Sequence, residues 1–211
     1  VFDLLSALYL VAFVLSGVAI ARVYLPKERP LARLWLGGVI ALLLLIWLPA
    51  LFSLLLGFTL LSQLLALAVA VCFGTLCAIL AKNKPVMKND WLSECDVLFT
   101  LLPLLVIGIV LLSTHTILPV NGGLSVGQST YGDLAMHLGF ITSIAEQHTF
   151  PPMYSICPDT PVGYPFLSDS ISSTFYALGA DLRFATMLPA MYAYALVLLG
   201  VYLFFERYLK D

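Results

Sequence analysis

Asp133 and His137 stand four residues apart within His115–Asp181, a stretch that holds all three histidines of the chain and none of its ten lysines and arginines. On a helix, residues four apart project from one face with side chains roughly 6 Å apart, and an acid near the helix start is favoured by the dipole. Such a pair can work as a base with its partner, or share a divalent metal ion. The same residues also admit a plainer account. Thr130-Tyr131-Gly132-Asp133 fits a capping box, and His137 can simply pack at an interface. Asp159 and Asp169 flank Tyr164-Pro165 and fit turn and cap positions as well as they fit acid chemistry. Arg183 is the one cation beside this acidic stretch: it either snorkels at the start of the last apolar run or meets an anionic headgroup or phosphate.

The elements that must position these residues follow from local pattern. Asn121-Gly122-Gly123 marks a turn, and Gly127 to Thr130 is short and polar. From Thr130, Leu134, Leu138, Ile141, Ile144 and Ala145 recur at helical spacing until Phe150-Pro151-Pro152 stops them. This helix is too short and polar to span a membrane and is expected to lie along its surface. An irregular loop, Tyr154 to Pro165, leads to a second short helix, Asp169 to Leu178, capped by Ser168 and ended by Gly179.

Around that stretch the chain is apolar. With 61% hydrophobic and 10% charged residues and a mean hydropathy of +1.01, it belongs among membrane proteins, and its net charge of -2 says nothing further. Runs near the length needed to cross the hydrocarbon core occur at Leu4–Val23, Leu34–Phe58, Leu60–Leu80, Val97–Leu112 and Phe184–Phe205. The expected fold is an all-α, polytopic helix bundle: residues 1–114 form four transmembrane helices, 115–182 an external loop with one or two surface-lying amphipathic helices, and 183–211 a fifth span.

Basic residues orient it. Arg22, Lys27, Arg29 and Arg33 put the first connection inside; Lys82, Lys84 and Lys88 do so for the third, and Arg207 and Lys210 for the end. The uncharged Gly57–Thr59 turn and the 115–182 loop are then external. The chain starts with Val and shows no charged leader with a cleavage site, so the first span reads as a mature helix, with trimming left open. Cys72 and Cys77 fall within a span, Cys95 inside and Cys157 outside, which leaves no external pair to bridge. Ala70, Gly74, Cys77 and Ala78 offer small residues for close helix packing.

Several functions are excluded or weakened. There is no phosphate-binding glycine loop, Ser/His/Asp motif or cysteine metal cluster, and the acidic loop argues against nucleic acid. Gln63 is the only strongly polar side chain well inside a span, which weakens an ion transporter.

Tyr131-Gly132-Asp133, His137, the amphipathic run to Phe150-Pro151-Pro152, and Gly163-Tyr164-Pro165-Phe166 together resemble the first external loop of the GT-C superfamily of integral-membrane glycosyltransferases. The resemblance covers about Gly127 to Ala180. It implies that Asp133 is the base, or metal-linked acid, for inverting transfer of a sugar from a polyprenyl-phosphate donor to an acceptor hydroxyl. It also implies His137 as a supporting ligand, Tyr131 and Tyr164 as walls of the sugar pocket, and Asp159 and Asp169 as further supporting acids. Arg183 would meet the phosphate, and a divalent metal, if used, would sit on Asp133 and His137. The expected setting is a bacterial inner membrane with the loop on the periplasmic or extracellular side. Three spans precede this loop where the family has one, so donor-binding helices are expected from the rest of a larger enzyme or from a partner. Two other classes fit the same features: a noncatalytic subunit of a membrane complex, and a polymerase or ligase acting on lipid-linked sugars, which would need more external arginines.

Overall fold

The computed structural model describes residues 2–84, 91–127, 130, 132–157 and 159–209, with residues 91–93 described by backbone alone. Five helices are long and apolar enough to cross a membrane: α1 (Phe2–Tyr24), α2 (Pro30–Leu56), α3 (Leu60–Ala81), α4 (Trp91–His115) and α7 (Leu182–Leu209). Between α4 and α7 lie a hairpin, β1 (Ile117–Val120) and β2 (Gly123–Val126), and two short helices, α5 (Asp133–Gln147) and α6 (Leu167–Ala177). The protein is a helical membrane bundle.

Helix α1 is the centre of the packing, against α2 on one side and α3 on the other. Small residues permit the approach. A β-carbon on Gly17 would come within 2.1 Å of Gly37 O, and one on Gly74 within 2.7 Å of Ser16 Cα. On α3, Ala66, Ala70, Gly74, Cys77 and Ala81 make the buried stripe, while Ala78 faces outward and is not part of it. Helices α4 and α7 pack on each other at the side of this core.

The helix ends fall into two groups. At one end, the Arg29 guanidinium pairs with Glu94 at 3.2 Å and with Glu206, tying the α1–α2 connection to α4 and α7. There too Lys84 Nζ donates to Val23 O at 2.7 Å. We call this the basic end; Lys88 and Lys210 lie outside the described residues. At the other, the loop end, Asp181 N donates to Asp3 Oδ1 at 3.0 Å, and Arg183 donates from Nε to Ile117 O at 2.8 Å and from Nη2 to Ser113 O at 2.6 Å. This grouping matches the alternation read from the basic residues.

Pro30 opens α2 at the basic end and Gly57 (φ 72°) closes it at the loop end, the usual asymmetry of helix termini. Thr59 and Ser62 form a capping box that opens α3 immediately after the turn. The Asn121-Gly122 turn has φ of 37° and 84°, the primed geometry that joins twisted strands, and adds a hairpin not anticipated from sequence.

Helix α6 is covered on every side from Asp169 to Phe175. Ser6 Oγ donates to Phe175 O at 3.2 Å, the Phe175 ring meets the Tyr9 ring edge-on at 6.3 Å, and Thr174 Oγ1 donates to Gln63 Oε1 at 2.9 Å. Gln63 Nε2 in turn reaches Ser62 Oγ at 3.2 Å, and Tyr9 donates its hydroxyl proton to Gln63 O at 3.0 Å. Gln63 therefore lies in the first turns of α3, at the α6 junction, and not deep within the span. Ser168 is inside α6, whose N-cap is Phe166 with no side-chain cap bond; the expected Ser168 cap is absent.

Candidate functional site

Helices α5 and α6 pack together, and their contact sets the site. On α5, Phe140, Ile141, Ile144 and Ala145 are buried, and the helix end is held by a clasp. His148, left-handed at φ 56°, takes a hydrogen bond from Phe58 N on its carbonyl at 3.0 Å and places Nδ1 3.2 Å from Phe58 O. Gly57 is required there, since a β-carbon would stand 2.4 Å from His148 O. Beyond the clasp, Gln147 Oε1 accepts from Met153 N at 3.2 Å, and Tyr154 N donates to Thr160 O at 2.9 Å, closing the loop before α6.

This arrangement puts His137 against Asp169, with Nδ1 2.8 Å from Oδ2. A carboxylate can only accept, so Nδ1 donates to it and Nε2 of the neutral ring keeps its lone pair. Asp169 is 8% exposed, in the first turn of α6. Burial pushes its carboxyl above the usual carboxylate range, and the His137 hydrogen bond and charge pull partly the other way. The imidazole is flanked by Tyr164 (ring centres 5.6 Å, 71°) and Phe140 (6.1 Å, 89°), and Phe140 also meets Tyr164 and Tyr154 at 5.7 and 5.9 Å. Tyr164 is 42% exposed, so the aromatic wall is open to a ligand. An oriented imidazole with a free Nε2 can take a proton from a hydroxyl or water, and aromatic faces suit the apolar face of a sugar ring.

The expected partner of His137 is thus replaced. Asp133 is exposed in the first turn of α5, one turn before His137, without a hydrogen bond to it among those described. The capping box expected of Asp133 is also not formed, because Thr130 Oγ1 turns back to donate to Gly127 O at 3.2 Å and the N-cap is Gly132. Among the described residues no group of three or more His, Cys, Asp and Glu side chains could hold a metal ion, so Asp133 and His137 have no third ligand. Asp159 sits exposed in a left-handed turn (φ 61°) and makes no described hydrogen bond to His137 or Asp169. Arg183 donates from Nε to Ile117 O and from Nη2 to Ser113 O, which makes it a brace between α4, β1 and α7, while neither of these bonds uses Nη1. Tyr131 lies outside the described residues.

Of the expected site residues, His137, Tyr164 and Asp169 come together. Phe140 and Tyr154 join them without a sequence signal: Phe140 lies off the apolar spacing of its helix, and Tyr154 marks only the start of the irregular loop. An apolar cavity of about 370 Å³ adjoins the same loop, lined by Trp47, Leu51 and Leu54 of α2 and by Phe150, Pro165 and Phe166. No family model, curated protein or solved structure matches the chain.

Proposed function

We propose that this protein is the loop-bearing part of a membrane glycosyltransferase that moves a sugar from a polyprenyl-phosphate donor to an acceptor hydroxyl, with inversion. The observation that carries the reading is the 2.8 Å His137–Asp169 pair set in an aromatic wall at the loop end of a membrane bundle. In this reading His137 Nε2 takes the acceptor proton as the acceptor oxygen attacks the anomeric carbon. The bond from that carbon to the phosphate oxygen breaks, and polyprenyl phosphate leaves. Asp169 holds the ring and stabilises the imidazolium, and Tyr164 packs on the sugar. The apolar cavity beside Phe166 suits the first isoprene units of the donor. The loop end faces away from the cytoplasm, since Arg22, Lys27, Arg29, Arg33, Lys82 and Lys84 belong to the other end. A bacterial inner membrane, with the loop on the periplasmic side, is the setting proposed.

With Nε and Nη2 of Arg183 turned to backbone carbonyls, the phosphate needs further cations from transmembrane helices of this polypeptide or of a partner. The bracing role of Arg183 favours a second reading, a noncatalytic subunit in which α5 and α6 form a docking cap. Membranes carrying the protein with its native partners, supplied with labelled polyprenyl-phosphate sugars and an oligosaccharide acceptor, separate the two. Transfer that is lost in His137→Gln supports the enzyme; transfer by no donor, with assembly intact, supports the subunit.

A further inference from the structure

A second feature lies at the opposite end of the bundle, between α2 and α7. These helices meet through side chain to backbone bonds: Trp35 Nε1 donates to Leu196 O at 2.8 Å and the Tyr192 hydroxyl to Gly38 O at 2.7 Å. The indole lies tight on Gly200, where a β-carbon would stand 2.6 Å from Trp35 Nε1. Either side of this contact the helices stand apart. A cavity of about 650 Å³ opens at the basic end, and another of about 490 Å³ continues towards Val39 and Leu42; both are bordered by Trp35, Gly200 and Phe204. Taken together the two cavities, which share the Trp35, Gly200 and Phe204 border, line a cleft along α2 from Arg29 to Leu42, roughly 20 Å at 1.5 Å per residue. That is about the depth of one leaflet, half of a hydrocarbon core of roughly 30 Å, plus its headgroup zone.

The walls are apolar and the mouth is charged, with Glu28, Arg29, Glu206 and Arg207 around it. Arg29 is engaged by Glu94 and Glu206. Among the described residues, Glu28 and Arg207 have no side-chain hydrogen bond or ion pair, which leaves one anion and one cation facing the same opening. We propose that this cleft holds one phospholipid with a primary-amine zwitterionic headgroup, its phosphate on Arg207, its ammonium on Glu28 and a chain along Trp35, Val39 and Leu42. Charge complementarity selects the headgroup. A phosphatidylglycerol offers Glu28 only neutral hydroxyls and no positive charge, and the trimethylammonium of a phosphatidylcholine has no proton to donate to it. The site is independent of the transfer reading, since it shares no residue with His137 or Asp169.

The test uses the whole protein, delipidated in detergent and titrated by native mass spectrometry with phosphatidylethanolamine, phosphatidylglycerol and phosphatidylcholine of identical chains. One lipid should be retained, with the ethanolamine lipid held best. Glu28→Gln should bring it down to the choline lipid's level, and Arg207→Gln should weaken all three roughly tenfold, as expected for loss of a charge-assisted hydrogen bond. Equal retention of the three headgroups by the unaltered protein would overturn the proposal whether or not the variants fold. So would an ethanolamine preference unchanged in Glu28→Gln.

Discussion

His137 Nδ1 and Asp169 Oδ2 lie 2.8 Å apart although 32 residues separate them in the chain, so the pair exists only once α5 and α6 have docked. Its imidazole is half-buried among aromatic rings and its carboxylate is almost fully covered. The polar contact is thus part of the α5–α6 packing.

If the pair is the base, His137→Gln removes the proton acceptor while keeping a hydrogen-bonding side chain, and transfer should fall roughly 100-fold or more. Asp133→Asn should cost much less, because Asp133 stands exposed one turn away. The two variants, assayed at matched amounts of folded protein, decide between the two acids. A larger loss in Asp133→Asn would restore Asp133 as the base.

The pH dependence of stability has a definite sign. The carboxyl of Asp169 is raised above its unfolded value, chiefly by desolvation. Its contribution is therefore fully present below the unfolded value of about 3.9 and is lost as pH rises through the folded one. Asp169→Asn removes that titration, so its melting temperature should gain on the unaltered protein as pH climbs from about 4. A difference that stays constant from pH 3.5 to 6.5 would contradict the assignment.

The Gln63–Thr174 bond makes an asymmetric prediction. Thr174→Val leaves Gln63 Oε1 buried without its donor, at about 1–3 kcal/mol. Gln63→Leu is milder, since Thr174 Oγ1 still reaches Ser170 O at 3.0 Å and Ser53 Oγ still reaches Ser62 Oγ at 3.2 Å. The double variant should unfold in mixed micelles at higher denaturant than Thr174→Val alone.

Arg29 closes the basic end, and Glu94 beside it is 5% exposed. Arg29→Gln strands that carboxylate. A loss near the lower end of the roughly 3–5 kcal/mol typical of a broken buried pair should follow, because Arg29 itself is partly exposed. Glu94→Gln in the Arg29→Gln background should recover part of it; no recovery would show that the two are not coupled.

Sidedness is open to a direct measurement. Ser125 and Asn83 are both exposed, at opposite ends of the bundle. In a protein cleared of native cysteines, an impermeant thiol reagent applied to intact cells should label Ser125→Cys and spare Asn83→Cys. The reverse pattern would invert the orientation argued from the basic residues.

The spans were legible because twenty-odd apolar residues have few alternatives, and the positive residues at their ends assign them to two groups without any tertiary knowledge. The helix caps were not. Thr130 and Ser168 have the right side chains, but a hydroxyl bonds to whichever backbone group the fold brings near, and Thr130 finds Gly127 O. Spacing pointed from His137 to Asp133 because it sees only one helix at a time. The partner that won, Asp169, comes from a different helix, and nothing local to it distinguishes a cap residue from a buried acid. Likewise Glu94 and Glu206 carried no signal, since orientation rules count cations and pass over the acids that bind them.

Gln63 and Thr174 are made at different times. They are 111 residues apart, and ribosomes add about 5–20 residues per second, so α3 waits roughly 5 to 20 s for the hydroxyl that satisfies it. During that interval α1, α2 and α3 have their buried faces available, yet the notch between them still presents an amide and two serine hydroxyls with no helix over it. A nascent chain halted before residue 174 would therefore carry a polar scar at the membrane boundary, a mark by which unfinished copies differ from finished ones.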